Sequence, residues 1–166
     1  YSVDAQTGDS VLYCEVPLAV NGFTPLGSGK LAVTAYRNIN RPDLYTLDEA
    51  ARKAEIESQK REKGYLVLEE IPFCQNGVGY VSGRRKGLYL FDTAAGALQI
   101  ITGQYDDVTD FTTKGDCLLY SSIQYQDIRT QSAGLFLYDA ASGQQETLVP
   151  QGKYVFTYHD FLSDGR

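Results

Sequence analysis

A chain of 166 residues with 21 acidic against 15 basic side chains carries a formal charge of −6. That balance excludes nucleic acid as a partner, because phosphate binding needs clustered Lys and Arg and the largest basic block here is the trio Arg84-Arg85-Lys86. No apolar run approaches the roughly 18 residues that a membrane-spanning helix requires, so no membrane partner is expected.

Residues 1–14 (YSVDAQTGDSVLYC) read as two short strands linked through Asp4 and Gly8. After Pro17, a strand is expected near residues 18–20, a turn at Asn21-Gly22 and a strand over residues 31–36, with Gly27-Ser28-Gly29-Lys30 as a hairpin link. The polar stretch NINRPD then delivers the chain to an expected third strand at residues 44–47. Residues 48–63 (DEAARKAEIESQKREK) break the β pattern. They are rich in Ala, Glu, Lys and Arg, lack Gly and Pro, and open on an Asp N-cap, which predicts a helix. Ile56 is its only large apolar residue, so it can bury little surface. Gly64 ends it, and residues 65–71 (YLVLEEI) are expected to supply a delayed fourth strand. Asn76-Gly77 marks a turn before a short strand at 78–82, and the basic trio falls in the loop leading to the next strand. Further strands follow at 106–112 and 117–123, then a polar loop at 124–133, and the tail from Lys153 reads as one more strand.

The organising feature is a repeat. GLYLFDTAAGALQIIT, starting at Gly87, returns as GLFLYDAASGQQETLV, starting at Gly134, 47 residues further on. Each copy has an apolar run ending in an Asp with a Gly four residues later (Asp92 and Gly96, Asp139 and Gly143), followed by a second apolar run. Asp bonds back to its own backbone and Gly accepts positive φ, so the link closes two antiparallel strands. Asp4 and Asp48 extend the series with steps of 44 residues. Self-similarity at about 40 to 50 residues is the mark of β-propeller blades, each a four-stranded sheet.

The expected fold is therefore all-β: a partial β-propeller of three to four antiparallel four-stranded blades with one helix inserted near 48–63. The blades divide as a remnant at 1–14, a blade at 18–71 carrying the helix between its third and fourth strands, blades at 72–102 and 106–149, and the start of another at 154–166. A ring of six to eight blades needs roughly 270 to 360 residues. With no Met at position 1 and a turn signal at Ser163-Asp164-Gly165-Arg166, the expectation is a piece of a longer chain whose open strand edges invite self-association.

Candidate chemistry is sparse. One histidine, His159, stands among aromatics and no Gly-x-Ser-x-Gly elbow occurs, so no serine nucleophile is expected and no catalytic residue is assigned. No phosphate-binding Gly-rich loop, cofactor motif or metal-ligand cluster stands out. Asp106, Asp107 and Asp110 lack calcium-loop spacing and read as turn-flanking carboxylates. Cys14, Cys74 and Cys117 show no CxxC spacing and read as buried reduced thiols, which favours a cytoplasmic setting.

EEIPFCQNGVGYVSGRRKGLYLFD (residues 69–92), the second LFLYD hairpin and the Phe161-Leu162-Ser163-Asp164-Gly165 turn resemble the propeller domain of the prolyl oligopeptidase family, nearest to its bacterial acylaminoacyl-peptidase-like members. The resemblance covers most of the chain. It implies a non-catalytic section of the propeller that gates peptide access to a separate α/β-hydrolase domain bearing a Ser-Asp-His triad, so that the parent protein is a serine peptidase. It also implies that acidic residues of an insertion, here Glu49, Glu55 and Glu57, are candidates to hold a peptide amino terminus. The alternative is a TolB-like propeller module that binds a protein partner with no hydrolase attached.

Overall fold

A computed structural model describes residues 1–64 and 67–162. Its strands are β1 (Ser2–Val3), β2 (Ser10–Val11), β3 (Val20–Pro25), β4 (Lys30–Asn38), β5 (Cys74–Gln75), β6 (Gly79–Tyr80), β7 (Arg84–Asp92), β8 (Ala97–Ile100), β9 (Asp106–Lys114), β10 (Cys117–Gln124), β11 (Ala133–Asp139) and β12 (Gln145–Tyr154), with one α-helix, α1 (Glu49–Arg61). Among the described residues the strands form four antiparallel sheets: the pairs β1-β2 and β5-β6, and two four-stranded sheets ordered β3-β4-β7-β8 and β9-β10-β11-β12. The all-β expectation with a single helix holds at this level, and no described helix is long and apolar enough to cross a membrane.

The repeat is legible as one corner used three times. The Asp92 carboxylate accepts the amides of Ala94 and Ala95, each at 2.9 Å, between β7 and β8. Asp139 accepts Ala141 N–H at 2.9 Å between β11 and β12, and Asp4 accepts Gln6 and Thr7 N–H at 2.8 and 3.0 Å between β1 and β2. Gly8, Gly96 and Gly143 close these corners at φ of 77°, 64° and 72°, where a Cβ would be strained. Asp48 does not belong to the series. It caps α1, accepting Ala51 N–H at 2.8 Å.

Several strands lie elsewhere than expected. Residues 44–47 are not a third strand: Leu44–Thr46 is a 3₁₀ turn, and the Arg52 side chain of α1 donates to the carbonyls of Leu44 and Leu47 that a strand would have paired. Of the expected fourth strand, residues 65 and 66 lie outside the described residues, and 67–71 make only one isolated parallel bridge, Ile71 to Ile128. The third and fourth strands of the first sheet are instead β7 and β8, so the stretches 18–71 and 72–102 share one sheet and the helix sits in an insertion between the second and third strands. The reason is cross-strand pairing. β4 meets β7 in unbroken register from Lys30↔Asp92 to Asn38↔Arg84 and sets Leu31 against Phe91 and Val33 against Tyr89, which the short DLYTL segment cannot match. Asn21-Gly22 falls within β3 at a register shift, the expected strand at 78–82 shrinks to Gly79–Tyr80, and the basic trio starts β7 rather than lying in a loop. In the tail, β12 runs to Tyr154, residues 155–162 carry no regular element, and the expected turn at 163–166 lies outside the described residues.

The two large sheets pack face to face. Leu26, Ala32, Leu88 and Leu90 of the first meet Val108, Leu118, Tyr120 and Tyr138 of the second, with Phe136 stacked on Tyr120 at 5.1 Å between centroids. Burial of each leucine and of Val108 contributes about 1.5–3 kcal/mol. Hairpin tips lock one end: Gly27 N–H donates to the Gly115 carbonyl at 3.1 Å, Ser28 N–H to Asp116 at 2.9 Å and Lys30 Nζ to the Ala140 carbonyl at 3.1 Å. At the other end, the insertion returns to the loop of the second sheet, where Ile71 N–H donates to Asp127 and Arg129 N–H donates to Ile71, both at 2.8 Å.

Candidate functional site

A cleft of about 1320 Å³ with polar walls lies between the first sheet and its insertion. Its floor is Tyr36, Arg37, Asn38 and Tyr89; its walls are the Asn38–Asp43 loop, one side of α1, and Val67, Glu69, Tyr80 and Ser82 of the returning segment. Helix α1 has no buried residue, so apolar packing does not hold it there. Arg41 does: its guanidinium reaches Glu55 near the middle of the helix at 2.9 Å and also pairs with Glu62, its C-cap. Gln59 first, and then Arg41, hold the Glu55 carboxyl below its ordinary value; Ser58 and Arg41 do the same for Glu62. Arg37 faces Asp43 at 3.6 Å, and the 3₁₀ turn lays Tyr45 edge-on against Tyr89 at 5.9 Å and 85°. Burial pushes the Tyr89 phenol up to about 12.

Outside the cleft lining lies a buried hub. Arg85 and Glu70 form a two-pronged ion pair, 3.0 Å from Nη1 to Oε2 and 2.5 Å from Nη2 to Oε1. Glu70 also accepts Gly83 N–H at 2.7 Å. Arg85 donates further to the carbonyls of Tyr125 (2.9 Å) and Tyr105 (3.4 Å) and lies over the Tyr125 ring at 3.5 Å. The hub therefore joins insertion, first sheet and second sheet.

Of the three carboxylates singled out in sequence, only Glu55 reaches the cleft. Glu49 and Glu57 are exposed on α1 and pair with Lys53 and Lys60 at 2.7 and 2.8 Å. The basic trio is spent on structure: Arg84 covers the Tyr36 ring at 3.6 Å, Arg85 occupies the hub, and Lys86 Nζ donates to the Thr109 carbonyl at 3.1 Å. Asp106, Asp107 and Asp110 lie in the expected strand, β9, and Asp106 flanks the turn that precedes it. Asp106 accepts Gly103 N–H, and Asp107 takes Lys86 N–H and Arg129. Cys74 is exposed on its short hairpin rather than buried, and Cys14 and Cys117 are half-buried. Sequence reasoning missed Arg41, Glu62 and the Glu70–Arg85 pair. The one available signal was Glu69-Glu70 within the apolar run YLVLEEI, where a carboxylate facing inward needs a cationic partner. Among the described residues no group of three His, Cys, Asp or Glu side chains is arranged to hold a metal ion, and His159 lies in the tail away from the cleft residues.

No family model matches the chain, and no curated protein matches it. Among solved structures, the acylaminoacyl peptidase of Pyrococcus horikoshii in its orthorhombic crystal form is similar to this chain, with a TM-score of 0.56 and 13% identity. The likeness is one of fold. It covers 90% of this chain and 21% of the solved one, so the chain spans about a fifth of the length of the protein it matches.

Proposed function

We propose that the chain is a section of the β-propeller of a prolyl oligopeptidase-family serine peptidase, itself non-catalytic, which gates and guides peptides toward a separate α/β-hydrolase domain. The observation that carries the reading is the face-to-face pair of like four-stranded sheets whose third and fourth strands turn on the same corner, at Asp92/Gly96 and Asp139/Gly143, with a further copy at Asp4/Gly8. Like sheets stacked on their neighbours are the units of a radial repeat. The fold likeness to an acylaminoacyl peptidase supports the family. In such a ring the work is exclusion: a narrow channel admits short peptides and rejects folded proteins. The free thiols, one of them exposed, favour a reducing, cytoplasmic setting.

The test is the whole protein encoded by the reading frame that contains these residues, assayed on N-acylated peptides of increasing length. The expected result is a downstream Gly-x-Ser-x-Gly with later Asp and His, hydrolysis lost on replacing that Ser by Ala, and rates that fall with peptide length. A whole protein without a hydrolase domain refutes the peptidase reading and favours the TolB-like alternative, a propeller whose loops hold a protein partner.

A further inference from the structure

The sequence contains two Asn-Gly pairs, Asn21-Gly22 and Asn76-Gly77, and the fold sets them in opposite circumstances. In such a pair the main-chain nitrogen of the glycine can reach the asparagine side-chain carbonyl with no Cβ to obstruct the approach. Whether it does so depends on how freely the backbone between them can turn. Asn21-Gly22 lies within β3, where Gly22 is held opposite Thr34, its carbonyl accepts the Thr34 hydroxyl at 3.3 Å, and the pairing with β4 runs on from Phe23↔Val33 to Pro25↔Leu31. Asn76 and Gly77 are the two central residues of the turn between β5 and β6, closed by Val78 N–H donating to the Gln75 carbonyl at 3.1 Å. Gly77 stands at a φ of 76°, as the third residue of a type II turn does, and no atom beyond its chain neighbours lies within 4 Å of where a Cβ would be. Residues 71–80 are all exposed, and the hairpin's strands pair only as Cys74↔Tyr80 and Gln75↔Gly79. Among the described residues nothing accepts the Gly77 N–H and nothing hydrogen-bonds the Asn76 side chain.

We propose that Asn76 is a site of spontaneous covalent modification, at which the Gly77 main-chain nitrogen attacks the Asn76 side-chain carbonyl carbon and water completes the conversion of the amide to an acid. In the first step a base removes the Gly77 N–H proton, the nitrogen bonds to Cγ, and the bond from Cγ to the side-chain nitrogen breaks. The leaving nitrogen takes up a proton and departs as ammonia, and a five-membered succinimide remains. In the second step one water opens the ring: attack at the side-chain carbonyl gives aspartate, and attack at the main-chain carbonyl gives isoaspartate, whose main chain is longer by one carbon. Nothing is oxidised or reduced. Either product places a carboxylate in a run, residues 71–83, that holds no charged side chain. Isoaspartate also shifts the register of Gln75 against Gly79, and with it Tyr80, which lines the cleft. Asn21 does not follow, because turning the Gly22 nitrogen toward its side chain takes both residues out of extended backbone and unpairs β3 from β4. The result is a slow, irreversible change of charge beside the cleft, independent of the peptidase reading.

The experiment is ageing of the whole protein that contains these residues, at mildly acidic and mildly alkaline pH, with peptide mapping by mass spectrometry and isoaspartate counted with an isoaspartyl methyltransferase. The expected result in the folded protein is conversion at residue 76 at least about tenfold faster than at residue 21, with nearly equal rates in the urea-unfolded chain, where no strand protects Asn21. Conversion at residue 76 should speed up with pH, and Asn76→Gln, which would have to close a six-membered ring, should stay unconverted over the same period. The comparison of residues 76 and 21 is made within one unaltered chain, so it does not depend on a variant folding. Similar rates at the two residues in the folded protein overturn the inference. So does conversion at residue 76 in the unfolded chain alone, since the turn then protects it, and so does a rate that does not rise with pH, since the attack requires the deprotonated nitrogen. Peptidase activity is not part of the readout, so a parent without a hydrolase leaves this inference standing.

Discussion

Replacing Glu70 with Ala removes one half of an ion pair whose side chains are 0% and 5% exposed. The Arg85 guanidinium is then left among the carbonyls of Arg84, Tyr105 and Tyr125 with no counter-charge, and Gly83 N–H loses its acceptor. Breaking a buried pair from one side costs about 3–5 kcal/mol, a large fraction of the roughly 5–15 kcal/mol stability of an ordinary domain. With an m-value of about 2 kcal/mol per molar in urea, the midpoint should fall by about 1.5–2.5 M at unchanged m. The double replacement Glu70→Leu with Arg85→Met should recover most of that loss, because it removes both charges and keeps the volume. Equilibrium urea unfolding followed by circular dichroism makes the measurement. A loss below about 1 kcal/mol for Glu70→Ala, the size expected of an exposed pair, would refute the hub as a buried electrostatic joint.

Three further outcomes are expected. Gly134→Ala should cost about 1–3 kcal/mol in the same urea assay, since a Cβ there would sit 2.8 Å from two Phe136 ring carbons, whereas Gly27→Ala, with no neighbour closer than 3.7 Å, should cost less. Burial raises the phenol values of Tyr89, to about 12, and of Tyr120; a neutral form kept by the fold contributes stability that is complete below the unfolded value near 10 and lost as pH rises through the folded value. Stability should therefore fall between about pH 10 and 12, with tyrosinate absorbance appearing together with unfolding rather than before it. Arg41→Ala should release α1 from the cleft, speeding exchange of the helix amides while global stability moves by less than about 0.5 kcal/mol; retention of helix protection would show that the Arg41 pairs do not hold it.

What the sequence alone determined is the local chemistry. The Asp-to-Gly corners at 92–96 and 139–143, the Asp48 cap and the helix after it, and the glycine link near residue 29 are satisfied by bonds within a few residues, so they could be read in order along the chain. Which strands share a sheet was decided only by tertiary structure. Residues 39–83 separate β4 from β7, and the apolar cross-strand pairs Leu31–Phe91 and Val33–Tyr89 outweigh the nearer candidates at 44–47 and 65–71; that selection depends on contacts some sixty residues apart, which no local signal encodes. The cleft follows the same rule. Arg41 with Glu55 and Glu62, and Arg85 with Glu70 and the Tyr125 carbonyl, are partners in space, and their roles appear only once the insertion has been folded back over the sheet.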